Sequence, residues 1–179
     1  MQPAKPLVIV LMGVSGCGKS TTGARLSRLL GWPFRDADSF HPPANVEKMS
    51  RGVPLEDADR WPWLEAIAQW IDAQRTAGAP GIVSCSALKR AYRERIIGER
   101  AGVRLVYLKG GMELIAARLA KRKGHFMPAE LLQSQFDALE EPLAAERALV
   151  VDITPPPEGV VAAVIAGLGG ARAGPKETA

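Results

Sequence analysis

The sequence predicts an α/β fold in which a five-stranded parallel sheet is covered by helices on both faces. Two observations carry this prediction. Apolar runs of strand length alternate five times with helical patterns along the 179 residues. The first run is followed at once by a glycine-rich loop and a helix-like run, the strand–loop–helix order of a phosphate-binding unit. We expect one domain over 1–168, with a flexible tail at 169–179.

The predicted strands are short apolar segments that end where polar residues begin. They lie at 7–12, 33–35, 81–85, 103–108 and 149–153. Because ligands of parallel α/β sheets bind beyond the carboxyl ends of the strands, the residues that follow these runs should surround one crevice.

The predicted helices separate these strands. They lie at 21–30, 61–77, 89–98, around 114–119, 131–139 and 159–168. The clearest is 61–77, in which apolar residues recur at i, i+3, i+4 and i+7. The section 39–60 before it is polar and interrupted by proline and glycine, so we expect a loop-rich, substrate-binding insert.

Composition excludes several classes of protein. The net charge is +4, but the basic residues are interspersed with acidic ones, so we expect no nucleic-acid partner. No apolar run is long enough to span a membrane. The two cysteines, Cys17 and Cys85, make neither a disulfide framework nor a metal cluster. These features predict a cytoplasmic protein that does not bind membranes.

The loop after the first strand predicts a cradle for ATP. Its glycines let backbone N–H groups face the β-phosphate, Lys19 reaches the β/γ oxygens, and the Ser20 hydroxyl faces Mg²⁺. The thiol of Cys17 either has a pKa lowered by these N–H donors or, as we favour, simply fills a tight loop. The predicted ATP-binding residues here are Gly13, Val14, Ser15, Gly16, Cys17, Gly18, Lys19, Ser20 and Thr21.

Two carboxylates follow the second strand. The chain has neither guanine-recognition signal of a GTPase, and the third strand does not end in the acidic residue of a motor ATPase. The carboxylate that helps hold Mg²⁺ is therefore assigned to Asp36. Phosphoryl transfer to a hydroxyl also needs a carboxylate near the attacking O–H, and we assign that role to Asp38. An Asx-turn or a helix cap is the alternative explanation of the pair.

Two groups of cations complete the predicted site. Arg118 and Arg122 are spaced to share one helix face, and we expect them to belong to a mobile lid at about 118–128 that neutralises the transferring phosphoryl group. A solvated basic face is the alternative. Lys89 and Arg90 follow the third strand and suit an acidic substrate or the transferred phosphate.

The chain resembles the gluconate kinases, or gluconokinases, over roughly 7–158. The combination of Cys-Ser-Ala-Leu-Lys-Arg at 85–90 with Gly-His-Phe-Met at 124–127 is specific to that family. The other matching pieces are the phosphate loop at 13–20, Asp36-Ala-Asp38 with His41-Pro42, Lys48-Met49, Gly-Val-Pro-Leu at 52–55, Asp-Arg-Trp-Pro-Trp-Leu at 59–64, Tyr92-Arg93, Ser-Gln-Phe at 134–136 and Leu139-Glu140.

This resemblance implies a P-loop kinase fold of the nucleoside-monophosphate-kinase and shikimate-kinase type, with a mobile lid, in a homodimer. It implies phosphorylation of D-gluconate to 6-phospho-D-gluconate by ATP with Mg²⁺. Lys19 is then assigned to the ATP phosphates, Asp38 to the substrate hydroxyl, Arg118 and Arg122 to the lid, and the segment around Pro156 to the adenine.

The substrate contacts stay open at this stage. An acidic polyol has a carboxylate, for which Arg60, Lys89 and Arg90 are candidates, and hydroxyls, for which His41 and Lys48 are. Arg60 can equally be structural. The alternatives to a gluconate kinase are a shikimate or nucleotide kinase on the same scaffold, and a nucleotide-dependent regulatory module.

Overall fold

The computed structural model describes residues 8–122 and 129–169, and within them it contains the predicted five-stranded parallel sheet in the order β2-β3-β1-β4-β5. The strands are β1 (Val8–Met12), β2 (Phe34–Asp36), β3 (Gly81–Ser84), β4 (Val103–Lys109) and β5 (Leu149–Asp152). Every residue of β1 is buried because this strand lies at the centre of the sheet.

Helices cover both faces of the sheet. They are α1 (Lys19–Leu30), α2 (Pro43–Ser50), α3 (Asp57–Ala77), α4 (Arg90–Ile96), α5 (Met112–Ala120), α6 (Ala129–Ala138) and α7 (Pro157–Gly167). Alternate side chains of β1 divide between two cores. Ile9 and Leu11 belong to the core that also holds buried residues of α1, α5, α6 and α7. Val8, Val10 and Met12 belong to the core that holds those of α3 and α4. The three-layer prediction is confirmed.

The section 39–60 is more regular than its composition predicts. A short 3₁₀ turn (Ala37–Phe40) and helix α2 lie in it, and α3 begins at Asp57, four residues before the predicted start. Pro43 stands in the first turn of α2, where the missing N–H of proline costs nothing. The Asp59 side chain accepts from the Glu56 N–H at 2.9 Å, and the Asp59 N–H donates to the Glu56 carbonyl oxygen at 3.1 Å, which closes the first turn of α3. The prediction of an irregular loop here was wrong.

Helix α5 ends earlier than its arginine spacing suggests. Its last residue is Ala120, so Arg122 lies beyond the helix and does not share a helix face with Arg118. The predicted lid residues 123–128, including Gly124–Met127, and the tail from 170 lie outside the described residues. Within the described ranges, no helix has both the length and the apolar character needed to cross a bilayer.

Candidate active site

Three strands end together at one edge of the sheet. Leu11 of β1 and Asp36 of β2 are both register partners of Ser84 in β3. The phosphate loop, the two aspartates and the segment Ser86–Lys89 therefore leave the sheet side by side, as predicted for the crevice.

The phosphate loop has the backbone that an anion cradle needs. Gly16 and Gly18 have φ values of 84° and 95°, which side-chain-bearing residues rarely adopt. A Cβ on Gly16 would lie 2.8 Å from the Leu119 side chain. Helix α1 begins at Lys19, and its N-cap Gly18 has no side chain to accept the first N–H groups. These donors and the positive end of the helix dipole remain available to phosphate oxygens.

Lys19 is held inside the loop. Its Nζ donates to the carbonyl oxygens of Gly13 at 2.8 Å and Val14 at 3.1 Å. The neighbouring Cys17 is 2% exposed, and burial raises the pKa of its thiol although Lys19 opposes that shift. The hypothesis that the loop lowers the thiol pKa is therefore wrong. The buried Cys17 side chain agrees with the interpretation that we favoured, in which it fills a tight loop.

Ser20 and Asp36 present oxygen atoms to each other. The Ser20 hydroxyl donates to Asp36 Oδ2 at 2.7 Å, and Asp36 Oδ1 accepts from the Asp38 N–H at 3.0 Å. One hydroxyl and one carboxylate beside the phosphate loop fit Mg²⁺, which keeps several waters and takes its remaining ligands from substrate phosphates. Within the described residues no group of three or more His, Cys, Asp or Glu side chains is placed to hold a metal ion.

Asp36 also makes the Asx-turn that was the alternative explanation of the acidic pair. The turn uses Asp36 and leaves the Asp38 carboxylate exposed at the crevice, without a hydrogen-bond or ion-pair partner among the described side chains. The two carboxylates thus have different surroundings, as the proposed division of roles requires.

A cavity of about 210 Å³ lies beside the turn that carries these aspartates, since Trp63 in its wall donates to the carbonyl oxygen of Ala37. It combines cationic, aromatic and hydroxyl side chains, which suits a small polar acceptor. A larger groove of about 540 Å³ lies between α1 and α7 and exposes mostly apolar surface. It includes no residue of the segments that follow β2 and β3, so we do not assign it to the acceptor. The cavity is lined by His41, Leu55, Arg60, Trp63, Ser86, Ala87, Leu88, Lys89, Tyr92, Gln135 and Ala138.

Some of the cations predicted to bind the substrate are already paired with carboxylates. Lys89 lines it but donates to both carboxylate oxygens of Asp57 at 3.2 Å. This hydrogen bond is the main cause that raises the pKa of Lys89. The Tyr92 hydroxyl also donates to Asp57, and this bond, ahead of the one from Lys89, holds the pKa of Asp57 below its usual value.

Lys48 and Arg90 lie outside the cavity lining. Lys48 Nζ donates to both oxygens of Asp59, at 2.8 and 2.9 Å. The Arg90 guanidinium pairs with Glu94 one turn along α4, on the exposed surface. Of the predicted substrate residues, the structure therefore brings His41, Arg60 and Lys89 together in the cavity wall. Lys48 and Arg90 make other contacts instead.

Arg60 forms no ion pair within the described residues, neither with Glu56 nor with Asp57, its acidic neighbours in the sequence. Its Nη1 donates to the Tyr92 hydroxyl at 3.2 Å. The guanidinium is half-buried in the cavity wall. Its charge helps to lower the pKa of Asp57 and of Asp59, but it forms a salt bridge with neither carboxylate.

His41 is held as a neutral ring. It stacks on Trp63 with ring centroids 4.4 Å apart, and burial lowers its pKa despite the opposing charge of Asp38. The buried Asn45 amide donates to the Asp59 carbonyl and lies 3.3 Å from His41 Nδ1. Because the amide nitrogen is a donor, Nδ1 accepts and the proton of the neutral ring is on Nε2. That N–H is available to an acceptor hydroxyl.

Of the predicted nucleotide residues outside the loop, Arg118 and Pro156 lie around the end of β5. Arg118 donates to the carbonyl oxygen of Ile153 at 2.5 Å, so its guanidinium contacts the segment assigned to adenine. Asp152 accepts from the Thr154 N–H and hydroxyl, and Pro156 caps α7. Arg122 is exposed.

A buried arginine that the sequence left without a role supports the cavity floor. Arg93 is 2% exposed, pairs through two nitrogens with Glu146 at 2.7 and 3.0 Å, and donates to the carbonyls of Ala87 and Leu88. Ala87 has a φ of 46°, an unfavourable conformation for a residue with a Cβ. Arg93 thus holds a strained segment of the cavity wall in place.

We expect Arg93→Met to lower the free energy of unfolding by about 3–5 kcal/mol, because it removes a buried guanidinium and leaves the partly buried Glu146 carboxylate and two carbonyls without their donor. Urea unfolding measures this loss. Arg51→Met, which breaks the exposed Arg51–Glu47 pair, is the control and should cost at most about 1 kcal/mol. Equal losses in the two variants would contradict this assignment.

The same pair predicts a pH dependence. Burial raises the pKa of Glu146, but the hydrogen bonds from Arg93 and the Leu143 N–H, with the Arg93 charge, lower it overall. A carboxyl group whose pKa is lowered in the folded state stabilises the fold at pH values above its ordinary pKa of 4.5. This stabilisation is lost as the pH falls through the lowered pKa. The stability difference between wild type and Arg93→Met should therefore narrow at low pH.

Several site residues were not predicted. Tyr92, Trp63, Asp59 and Gln135 lie in matching pieces of the resemblance, but no role was assigned to them. Asn45 and Asp57 also hold the cavity walls, and neither lies in such a piece.

The comparisons with known proteins agree with this geometry. The AAA domain family matches residues 8–145. The gluconokinase of Gluconobacter oxydans (strain 621H) is 50% identical over 138 residues, which cover 77% of this chain and 78% of that protein. The thermoresistant gluconokinase of Escherichia coli (strain K12) is 44% identical over 159 residues, 88% of this chain and 91% of that protein.

Solved structures give the same relation. The crystal structure of a gluconokinase from Sinorhizobium meliloti 1021 superposes with a TM-score of 0.82 at 44% identity, over 92% of this chain and 93% of that one. The shikimate kinase of Aquifex aeolicus vf5 superposes with a TM-score of 0.53 at 21% identity, over 91% of this chain and 96% of that one. The second likeness concerns the fold alone.

Proposed function

Because this chain belongs to the gluconokinase family, we propose that it transfers the γ-phosphoryl group of ATP to the 6-hydroxyl of D-gluconate. The observation that carries the proposal is the common edge at which the phosphate loop, the Asp36/Asp38 pair and the acceptor cavity meet. A donor site and an acceptor site that share one edge allow direct transfer between bound substrates.

In the proposed reaction the protein binds the two substrates, orients them and accepts one proton. The loop N–H groups and Lys19 hold the ATP phosphates. The Asp38 carboxylate accepts the proton of the 6-hydroxyl while the oxygen of that hydroxyl forms a bond to the γ-phosphorus. The bond from that phosphorus to the bridging oxygen breaks, and ADP leaves with the charge that Lys19 and Arg122 are proposed to neutralise.

We propose Mg²⁺ as the metal, with Ser20 and Asp36 as the residues that hold it directly or through water. The ion would neutralise charge on the β- and γ-phosphates. The hydroxyl and the carboxylate already lie 2.7 Å apart, which supports this choice of residues.

Arg60 is our choice for the gluconate carboxylate. Lys89 shares the cavity with it, but the Lys89 charge is already matched by Asp57, and His41 is neutral. A substrate carboxylate in this cavity would be best compensated by the cation that has no ion-pair partner among the described side chains. His41 Nε2, the Ser86 hydroxyl and Lys89 then remain for the substrate hydroxyls.

We expect Arg60→Met to raise the KM for gluconate about 30-fold, which corresponds to the roughly 2 kcal/mol of a charge-assisted hydrogen bond. Steady-state kinetics at saturating ATP measure it. Glucitol, a neutral polyol of similar length, is the control acceptor, and its turnover should be equally poor with wild type and variant. An unchanged KM for gluconate would assign the carboxylate to another residue.

Four finer statements complete the proposal. The resemblance supports a homodimer, which light scattering would measure. Both cysteines are buried free thiols, as is usual in reducing compartments, which supports a cytoplasmic location. The chain acts as one catalytic domain with the insert 39–60 on the acceptor side. The segment 118–128 acts as a lid over the nucleotide.

ADP release with ATP and Mg²⁺ tests the function across an acceptor panel of gluconate, other sugar acids, shikimate and nucleoside monophosphates. We expect gluconate to have the highest kcat/KM. ADP release that gluconate raises no more than buffer does would refute the proposal, and faster turnover with shikimate would favour the other small-molecule kinase.

A further inference from the structure

Gln135 joins the phosphate loop to the acceptor cavity. Its Oε1 accepts from the Ser15 N–H at 2.7 Å, and its Nε2 donates to Ser15 Oγ at 2.9 Å, across 120 residues of sequence. The same side chain lines the cavity. We propose that Gln135 is a positioning residue through which acceptor binding and nucleotide binding are energetically coupled, an inference that rests on the proposed function.

The first step concerns the group that Gln135 holds. Ser15 is the third residue of the phosphate loop, directly before Gly16 with its φ of 84°. Backbone N–H groups in such a loop are the donors that receive phosphate oxygens. The neutral amide oxygen of Gln135 occupies one of these donors, so an arriving phosphate oxygen and Gln135 compete for the Ser15 N–H.

The second step concerns what anchors Gln135. On the same helix Leu132 is 4% exposed within the core, and Phe136 packs against that core. The loop is also contacted from α5, because Leu119 lies against Gly16. Gln135 therefore extends from a packed helix, and a change in its hydrogen bonds alters the cavity wall more than the helix position.

The third step joins the two sites. When nucleotide takes over the Ser15 N–H, the Gln135 amide is released at the wall of the acceptor cavity, where it can bond an acceptor hydroxyl. When an acceptor binds that amide first, the Ser15 N–H becomes free for phosphate. Each ligand then favours the binding of the other, and the coupling is reciprocal.

Isothermal titration of gluconate, without and with a non-hydrolysable ATP analogue and Mg²⁺, measures this coupling. For wild type we expect the analogue to lower the Kd for gluconate at least about fivefold. For Gln135→Met, which keeps the size of the side chain and removes both hydrogen bonds, we expect a ratio near one. The matched control is Gln133→Met on the same helix, for which the wild-type ratio should persist. Gln133 is exposed, and among the described residues it donates to Asp137 and not to the phosphate loop.

Thermal unfolding separates a structural role from a coupling role. A loss of stability in Gln135→Met with the wild-type ratio retained would overturn the inference, and so would a ratio near one in wild type. Gln135→Glu gives a second measurement, because it places a negative charge beside the phosphates and should raise the KM for ATP more than that for gluconate. Equal effects on both constants would also contradict the inference.

These outcomes are distinct from failure of the proposed function. If wild type phosphorylates gluconate while Gln135→Met retains coupling, only the inference fails. If wild type neither binds nor phosphorylates gluconate, both fail together.

Discussion

Asp38→Asn is expected to lower kcat at least about 10²-fold while it leaves the Kd for ATP within about twofold, because an amide cannot accept the proton of the attacking hydroxyl. The structure supports this choice between the two acidic residues. Asp36 is engaged by the Ser20 hydroxyl and the Asp38 N–H, whereas the exposed Asp38 carboxylate has no such partner among the described side chains. Stopped-flow turnover and nucleotide titration give the two quantities.

Asp36→Asn is the matched comparison for this prediction. If Asp36 serves the metal, its amide variant should raise the Mg²⁺ concentration needed for half-maximal rate, which Asp38→Asn should leave unchanged. A wild-type kcat in Asp38→Asn would remove Asp38 from the role of base. A shared shift in Mg²⁺ dependence would show that the two carboxylates act on the ion together.

Lys19→Met is expected to lower kcat/KM about 10³-fold, since charge stabilisation of a transferring group in a preorganised site is typically the largest catalytic contribution. The Lys19 ammonium is already placed inside the loop by the Gly13 and Val14 carbonyls. Little rearrangement is then needed when phosphates arrive. Steady-state kinetics with varied ATP measure the loss.

Arg51→Met serves as the charge control for Lys19→Met. It also removes one positive charge, but from the exposed end of α2, and it should leave kcat/KM unchanged. A Lys19→Met variant within threefold of wild type would contradict the assignment of the loop to ATP phosphates.

Much of the fold follows from local sequence. The buried strands are continuous apolar runs because both faces of the sheet are covered, and the phosphate loop follows the first of them directly. The helix α2 escaped prediction for a local reason as well. Pro42 and Pro43 were interpreted as residues that interrupt a helix, although proline is favourable in the first turn of a helix.

The charge pattern of the site was less predictable. Lys48 and Lys89 are neutralised by Asp59 and Asp57, which lie 11 and 32 positions away in the sequence. Such pairs depend on how α2, α3 and the segment after β3 pack against one another. The periodicity of the sequence does not predict this packing. The same is true of Gln135 and Ser15. The sequence therefore indicated four candidate cations for the substrate. The fold was needed to place Lys48 and Arg90 outside the cavity lining and to distinguish Arg60 from the paired Lys89.

The most direct test of the account is the identity of the phosphorylated product. Phosphorus NMR of wild type with ATP, Mg²⁺ and gluconate should show ADP and a phosphomonoester whose signal is split into a triplet by the two hydrogens on carbon 6. A doublet would mean transfer to a secondary hydroxyl. A singlet of inorganic phosphate alone would mean hydrolysis, and it would contradict phosphoryl transfer between the two halves of this crevice.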